Sequence, residues 1–185
     1  MFERTLPGLE SFSTSRLLAE RLRPAHRADL RRMDQDERFM AHLGGVRDEA
    51  GTERYLNWNL AHWLEHGFGL WMLRERETGV MIGRAVLRHL EVEGVDEVET
   101  GYGFLPEFWG RGLATEITRS CLGIGHDQLG LASIVAVTVP ANTASQRVLR
   151  KAGLEYEREI VHNGQVHLLF RDRSGSPRTG ASPES

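Results

Sequence analysis

The chain reads Phe104-Leu105-Pro106-Glu107-Phe108-Trp109-Gly110-Arg111-Gly112-Leu113-Ala114-Thr115-Glu116 between a strand-like run and an amphipathic helix pattern. Gly110 and Gly112 allow a sharp turn whose backbone N–H groups point into one small volume, and neither carries a Cβ that would block an anion. The helix N-terminus behind the turn adds a favourable dipole. This run predicts a pyrophosphate-binding turn, and a strand-to-helix turn without a ligand is the alternative. Neither the P-loop pattern nor G-x-G-x-x-G is present.

A second segment about 30 residues further on strengthens the prediction of a ligand site. Residues 134–137 (Ile-Val-Ala-Val) indicate a short buried strand, and Pro140-Ala141-Asn142-Thr143-Ala144-Ser145 follows it. A helix through residues 146–151 comes next, and Gly153 is placed to end it as a C-cap.

These two segments, in this order and spacing, resemble the GNAT superfamily of acyl-CoA-dependent N-acyltransferases. Its phosphate loop has the form Q/R-x-x-G-x-G/A, matched here by residues 107–112. Three runs look like the ribosomal-protein branch, which acetylates protein N-terminal alanine: 99–102, 106–116 and 142–154. The resemblance extends from about Ser15 to about Arg171. Glu107 departs from the family pattern, so the backbone amides and Arg111 would carry more of the phosphate binding.

The resemblance implies a mixed α/β fold. Its central twisted sheet is mostly antiparallel, splayed between two strands and flanked by helices. Residue patterns agree, with strands predicted at 17–22, 68–74, 80–90, 97–104, 134–137, 155–161 and 166–170, and helices at 24–33, 36–42, 53–65, 112–129 and from Asn142. We expect an N-terminal extension (1–14), one acyltransferase domain (15–171) and a disordered tail (172–185).

Composition excludes several classes of protein. A net charge of −3 argues against a nucleic-acid partner, and no apolar run is long enough for a membrane span. Cys121 is the single cysteine, which fits a reducing cytoplasm, and its helical stripe indicates a core position. No metal site is predicted, because His62 and His66 lack a third ligand; we expect them on the outside of their helix. Assembly as a monomer or homodimer stays open.

The resemblance also implies how the cofactor is held. Acetyl-CoA would be the co-substrate, with its pyrophosphate on Trp109, Gly110, Arg111, Gly112, Leu113 and Ala114. Its pantetheine arm would extend the sheet edge at Phe104 and Leu105. Asn142 is suited to be an N-cap, and the family role adds a pantetheine contact. Ser145 would protonate the leaving thiolate or lie near the cofactor, and its alternative is an exposed helix serine.

Glu99 is the candidate proton acceptor for the attacking amine. Strand alternation places it on one face with Glu97, Gly101 and Gly103, where the glycines leave space for an acceptor. The alternative is an ion pair with Arg84 or Arg88. Tyr102 lies near the same end, as a polar aromatic or as a core residue with a satisfied hydroxyl.

The sequence therefore predicts an N-acetyltransferase that acts by direct transfer, and the alternative is a catalytically idle acyl-CoA-binding module. We expect the acceptor pocket between the first helices (38–51), on Trp58 and near residues 162–164. That set mixes acids with bases, whereas an aminoglycoside or polyamine would require a denser acidic lining. A peptide N-terminus or a small-molecule amine is therefore the favoured acceptor.

Overall fold

The computed structural model describes residues 9–162 and 164–173. Eight strands form one sheet in the order β1-β2-β3-β4-β5-β6-β8-β7. The strands are β1 (Ser11–Ser13), β2 (Leu17–Arg21), β3 (Leu70–Glu75), β4 (Met81–Val92), β5 (Val95–Phe104), β6 (Ser133–Thr138), β7 (Glu155–His162) and β8 (Gln165–Arg173). All neighbouring strands are antiparallel except β5 and β6, which are parallel. The mixed, mostly antiparallel sheet predicted from the sequence is confirmed.

Five α-helices flank the sheet: α1 (Arg27–Gln35), α2 (Glu37–Met40), α3 (Glu49–His66), α4 (Leu113–Gly123) and α5 (Thr143–Ala152). The ends of α3 and α5 carry typical capping residues. Asp48 caps α3 by accepting from Gly51 N–H at 2.7 Å. Gly67 and Gly153 end α3 and α5 in the left-handed conformation, with φ of 74° and 112°, which glycine adopts without a Cβ penalty.

The two faces of β5 meet different helices. A Cβ built on Gly103 would lie 2.6 Å from the ring of Phe39 in α2, so Glu99, Gly101 and Gly103 share the face toward α1–α3. On the opposite face, the Tyr102 hydroxyl donates to Ser145 Oγ in α5 at 3.3 Å. Side chains from both faces form one large core centred on β2–β5, α1, α3 and α4.

The sheet divides between β5 and β6. In the described part of the chain, their register consists of one Cα pair, Glu99 with Val135. Beyond that pair β5 runs on to Phe104 beside β4, whereas β6 runs to Thr138 beside β8. The predicted splay is therefore present, and Glu99 lies at the point where the strands diverge.

Several boundaries and one burial state differ from expectation. The strand Ser11–Ser13, which no sequence pattern indicated, pairs with β2. The helix predicted to Leu129 is α-helical only to Gly123 and continues as a π-turn at Ile124–Gln128. The expectation for His62 was wrong, because it is buried against Phe68 and β4. β8 includes two residues of the predicted tail, and the remaining tail residues and the turn residue Asn163 lie outside the described residues.

Candidate functional site

The turn before α4 is shaped to bind an anion. Gly110 and Gly112 have φ of 75° and 78°, the left-handed region that favours glycine. No side chain caps the N-terminus of α4, and the Glu116 N–H donates a hydrogen bond to the Gly112 carbonyl at 3.2 Å. A helix leaves its first N–H groups without intrahelical acceptors. Because these donors lie at an exposed surface, they suit the oxygens of a pyrophosphate.

Two guanidinium groups lie beside this turn. Arg111 donates to Glu75 Oε1 at 2.5 Å and lies over the Phe108 ring, and its expected role in binding phosphate stays a prediction. Arg16, which sequence reasoning missed, donates to the Arg111 carbonyl at 2.6 Å. Its Nη2 lies 3.6 Å from a Cβ built on Gly112. The missed contact spans 95 residues of sequence, so no local pattern could have indicated it.

The side chain of Glu116 in α4 binds the turn between β1 and β2. Its carboxylate accepts hydrogen bonds from Thr14 Oγ1, Ser15 Oγ, Arg16 N–H and Arg16 Nε at 2.5–2.9 Å. Burial alone would raise the pKa of Glu116, but these four donors outweigh burial and lower it to about 2. The carboxylate therefore holds the β1–β2 turn against the glycine turn.

The backbone of β5 exposes hydrogen-bonding groups toward the splay. Leu105 N–H bonds to the Ile82 carbonyl at 2.9 Å while Phe104 is paired with Gly83. In an antiparallel ladder this makes Phe104 and Tyr102 non-hydrogen-bonded positions relative to β4, so their own N–H and C=O groups point away from β4 toward the splay. The Phe104 carbonyl accepts from Trp109 Nε1 at 2.7 Å.

The residues at the end of β5 differ in whether their backbone groups already have hydrogen-bond partners within the protein. The Leu105 carbonyl accepts from Phe108 N–H at 2.9 Å, so both backbone groups of Leu105 already have partners inside the protein. The backbone groups of Tyr102, which the sequence analysis did not consider, also face the splay, and the predicted ligand contacts at Phe104 and Leu105 stay a prediction. Phe104 keeps an N–H that faces the splay.

Asn142, Ser145 and Tyr102 lie together on the α5 side of the splay. Asn142 Oδ1 accepts from Ser145 N–H at 3.0 Å, so the predicted N-cap is present. The Ser145 hydroxyl is partly buried and accepts from Tyr102. Burial raises the pKa of Tyr102 despite this hydrogen bond, so its phenol keeps its proton at neutral pH. The cluster can therefore donate a proton on this side of β5.

Glu99 lies on the other side of β5, buried to 4% exposure. It forms an ion pair with Arg88 Nε, which is the alternative that the sequence analysis named. Burial alone would lower the pKa of Arg88, but Glu99 and Tyr55 outweigh it and raise it. Glu99 and Ser145 thus lie on opposite sides of β5, and both are beside the splay.

Other reactive side chains are structural. Burial raises the pKa of the Cys121 thiol to about 12, so it has no thiolate character. His62 accepts from His89 N–H at its Nε2 and contacts the Phe68 carbonyl through Nδ1. Burial is the main cause that lowers the pKa of His62 to about 4. Across residues 9–162 and 164–173, no group of His, Cys, Asp or Glu side chains is arranged to hold a metal ion, and no helix there is long and apolar enough to cross a membrane.

The family model described as "Acetyltransferase (GNAT) domain" matches residues 16–155, from β2 to the start of β7. The chain belongs to the GNAT acetyltransferase family. The splay, the glycine turn and the start of α5 all lie inside the matched range of this GNAT chain, which is therefore an acetyltransferase by family.

The proteins that are similar to the GNAT chain include the following three. YkkB of Bacillus subtilis, described as uncharacterized, is 31% identical over 125 residues, covering 68% of this chain and 73% of YkkB. The FsC-acetyl coenzyme A-N(2)-transacetylase of Aspergillus fumigatus is 28% identical over 162 residues, covering 82% and 68%. The solved structure of the ribosomal L7/L12 α-N-protein acetyltransferase RimL with coenzyme A has a TM-score of 0.74 at 15% identity, covering 89% and 98%. The last likeness shows the fold alone.

Proposed function

We propose that this GNAT enzyme takes the acetyl group from acetyl-CoA and transfers it directly to a primary amine. The observation that supports this proposal is the combination of an uncapped α4 N-terminus, two left-handed glycines and a sheet that divides beside them. The turn fits a pyrophosphate, and the unpaired backbone groups of Tyr102 and Phe104 fit the amides of a pantetheine arm. Among the relatives, RimL was solved with coenzyme A, and the fungal transacetylase carries acetyl coenzyme A in its name.

The transfer makes modest chemical demands on the side chains. A thioester is already activated, so the protein must mainly hold it beside a neutral amine. The amine nitrogen forms a bond to the acetyl carbonyl carbon, the carbon–sulfur bond breaks, and the amine loses one proton. Glu99 is the proposed acceptor of that proton, directly or through water. Ser145, with Tyr102 behind it, is the proposed donor to the leaving thiolate.

The proposed acceptor is a protein N-terminus or a small-molecule amine. RimL is named for an α-N-protein acetyltransferase activity, and the fungal relative is named for an N(2)-transacetylase activity, so both names describe acetyl transfer to a nitrogen. The lining beside Glu99 presents arginines and aromatic rings, which disfavours a polycationic acceptor such as an aminoglycoside.

Gly112→Val tests the cofactor site. A side chain at φ 78° strains the turn and enters the volume onto which the amides converge, so we expect acetyl-CoA binding measured by calorimetry to fall at least tenfold. Gly94→Val is the matched control, because Gly94 has a φ of 84° in the β4–β5 turn at the other end of β5. Equal losses in both variants, or undiminished binding in Gly112→Val, would place the pyrophosphate elsewhere.

Thiol release from acetyl-CoA with a panel of amines tests the reaction itself. The panel contains N-terminal peptides, amino acids, polyamines and aminoglycosides. We expect turnover with peptides or small metabolites that have one reactive amine. Tight coenzyme A binding without turnover on any amine would favour the idle module, and efficient acetylation of aminoglycosides alone would overturn the proposed acceptor.

A further inference from the structure

An open depression of about 490 Å³ lies on the α3 side of the sheet. Its lining comes from the first ten residues of α3 and the residue before its N-cap: Arg47, Gly51, Arg54, Tyr55 and Trp58. Gly51 adds no side chain to this surface, and Trp58 is 49% exposed although it is a large aromatic. The surface therefore combines flat apolar rings with guanidinium groups, and none of its lining side chains is an acid.

The buried charges beneath the depression leave a positive excess. Asp34 is fully buried and its Oδ1 accepts from both Arg47 at 2.8 Å and Arg84 at 2.9 Å, so one carboxylate is shared by two guanidinium groups. Thr52 Oγ1 donates to the other oxygen at 3.1 Å. The Arg47 guanidinium lies 4.3 Å from the Tyr55 ring centroid, which fixes it at the edge of the depression.

Arg54 contributes a free positive charge to the same surface. It is exposed, and no ion pair or hydrogen bond joins its side chain to another described residue. The neighbouring acids of α3 are engaged elsewhere, since Glu49 and Glu53 both pair with Arg27 at 2.7 Å. Asp48 lies at the rim, where its carboxylate caps α3. The lining and its first partners thus comprise four arginines, at 47, 54, 84 and 88, against the three carboxylates of Asp34, Asp48 and Glu99.

Arg88 links the depression to the proposed proton acceptor. The Arg88 guanidinium lies 5.2 Å from the Trp58 ring centroid and forms the ion pair with Glu99. Glu99 in turn marks the divergence of β5 and β6. A molecule seated on Tyr55 and Trp58 therefore lies one side chain away from the place where the amine must lose its proton.

We propose that this depression binds an anionic oxygen group of the acceptor, so that the enzyme prefers amines that also carry a carboxylate or a phosphonate-like group beside an apolar body. Arginine is suited to this recognition, because its planar guanidinium donates two parallel hydrogen bonds to such oxygens. The rings of Tyr55 and Trp58 would contact the apolar body. Arg54 is the specificity-determining residue. The inference rests on the proposed function, because it names the acceptor class of the same site.

Four matched amines test the inference: L-phenylalanine, its phosphonate analogue, L-phenylalaninamide and phenethylamine. They share one ring and differ in the group on the carbon that bears the amine. We expect the anionic pair to have the higher kcat/KM, and comparison of carboxylate with phosphonate identifies the preferred oxygen group. In Arg54→Gln the ratio of anionic to neutral kcat/KM should fall about tenfold or more, the effect of losing a charge-assisted contact. Because the ratio is formed from the same amines for the wild type and for Arg54→Gln, intrinsic differences in amine reactivity cancel when the two ratios are compared.

Arg158→Gln is the matched control, since it removes an exposed arginine that pairs with Glu93 at the β4–β5 turn. Its ratio should equal that of the wild type. A wild-type enzyme that uses the neutral amines as well as the anionic ones, or an Arg54→Gln enzyme that keeps the full ratio, would overturn the inference. Thiol release with other amines would continue in either case, so the proposed function would stand.

A binding measurement keeps the inference testable without turnover. Calorimetry on protein saturated with coenzyme A should show N-acetyl-L-phenylalanine binding more tightly than N-acetylphenethylamine, with the difference reduced in Arg54→Gln and at high salt. Equal affinities for the two ligands would overturn the inference even if no amine were acetylated.

Discussion

Glu99 is the residue to which the proposed function assigns the proton transfer. Strand alternation predicted its face, and the structure adds that it is buried at the divergence of β5 and β6. The ion pair with Arg88 does not exclude a catalytic role, because an incoming amine would lie beside the same carboxylate. The pair does hold the carboxylate in one orientation, which favours proton transfer in a fixed geometry.

At this residue, Glu99→Gln should lower kcat by about a hundredfold or more, the usual weight of general base catalysis. The affinity for coenzyme A should change little, because Glu99 lies on the face of β5 opposite α5. Steady-state thiol release and calorimetry give the two numbers.

The chain offers a matched control in Glu97→Gln. Glu97 is two residues away on the same face and forms its own ion pair with Arg171 at 2.7 Å. The control should lose stability in a thermal melt but keep kcat. If both variants keep full turnover, the proton leaves through another group, and the role of Glu99 is structural.

At the scale of elements, the order from β5 through the glycine turn, α4, β6 and α5 was predicted correctly because each part has a local signal. The alternation of β5, the two glycines and the cap at Asn142 are all read within a few residues. β1 was missed because Ser11, Phe12 and Ser13 carry no run of β-forming residues, although they pair with β2 close by in the sequence. The π-turn after α4 packs against β6, since a Cβ on Gly125 would lie 2.4 Å from Ile134 Cδ1, and no local pattern indicated this packing.

Burial of His62 shows the same limit. Its polar character predicted a solvent position, but the Phe68 carbonyl and His89 N–H satisfy both ring nitrogens. Phe68 lies in the loop before β3 and His89 lies in β4, so only the tertiary structure reveals these partners. The same limit applies to the candidate site. Arg16 and the backbone of Tyr102 belong to it because of tertiary contacts, which no local motif encodes.

The attachment of α4 to the β1–β2 turn leads to a pH-dependent prediction. The folded-state pKa of Glu116, about 2, is below the ordinary glutamate value of 4.5. The carboxylate therefore stabilises the fold above pH 4.5, and this contribution is lost as the pH falls toward 2. We expect Glu116→Gln to lower the free energy of unfolding at pH 7 by up to about 3 kcal/mol.

Urea unfolding at pH 7 and pH 3 measures this effect. The difference between wild type and Glu116→Gln should narrow by more than half at pH 3, because the unfolded carboxylate is then protonated. Glu77→Gln, an exposed acid in the β3–β4 turn, should show no comparable loss. A difference that is the same at both pH values would mean that the hydrogen bonds of Glu116 do not depend on its charge.

At the scale of the whole molecule, the sheet consists of two parts, β1–β5 and β6–β8. They are joined by the Cα pair Glu99–Val135, by the Glu97–Arg171 ion pair and by the contact between α4 and α5. A ligand bound along the splay would contact both parts. Any ligand that binds only the folded protein stabilises it by mass action, about 2.7 kcal/mol at a hundredfold excess over Kd. The stabilisation should be greatest where the ligand replaces missing strand pairing.

Hydrogen exchange with and without coenzyme A measures where that stabilisation falls. We expect slower exchange at residues 100–104, 110–116 and 136–138, because these segments border the splay and the glycine turn, and little change in β1–β3. Gly112→Val should lose this protection at the same ligand concentration, whereas Gly94→Val should keep it. Uniform protection over all eight strands would mean that the protein responds as one cooperative unit, and protection confined to β1–β3 would place the ligand outside the splay.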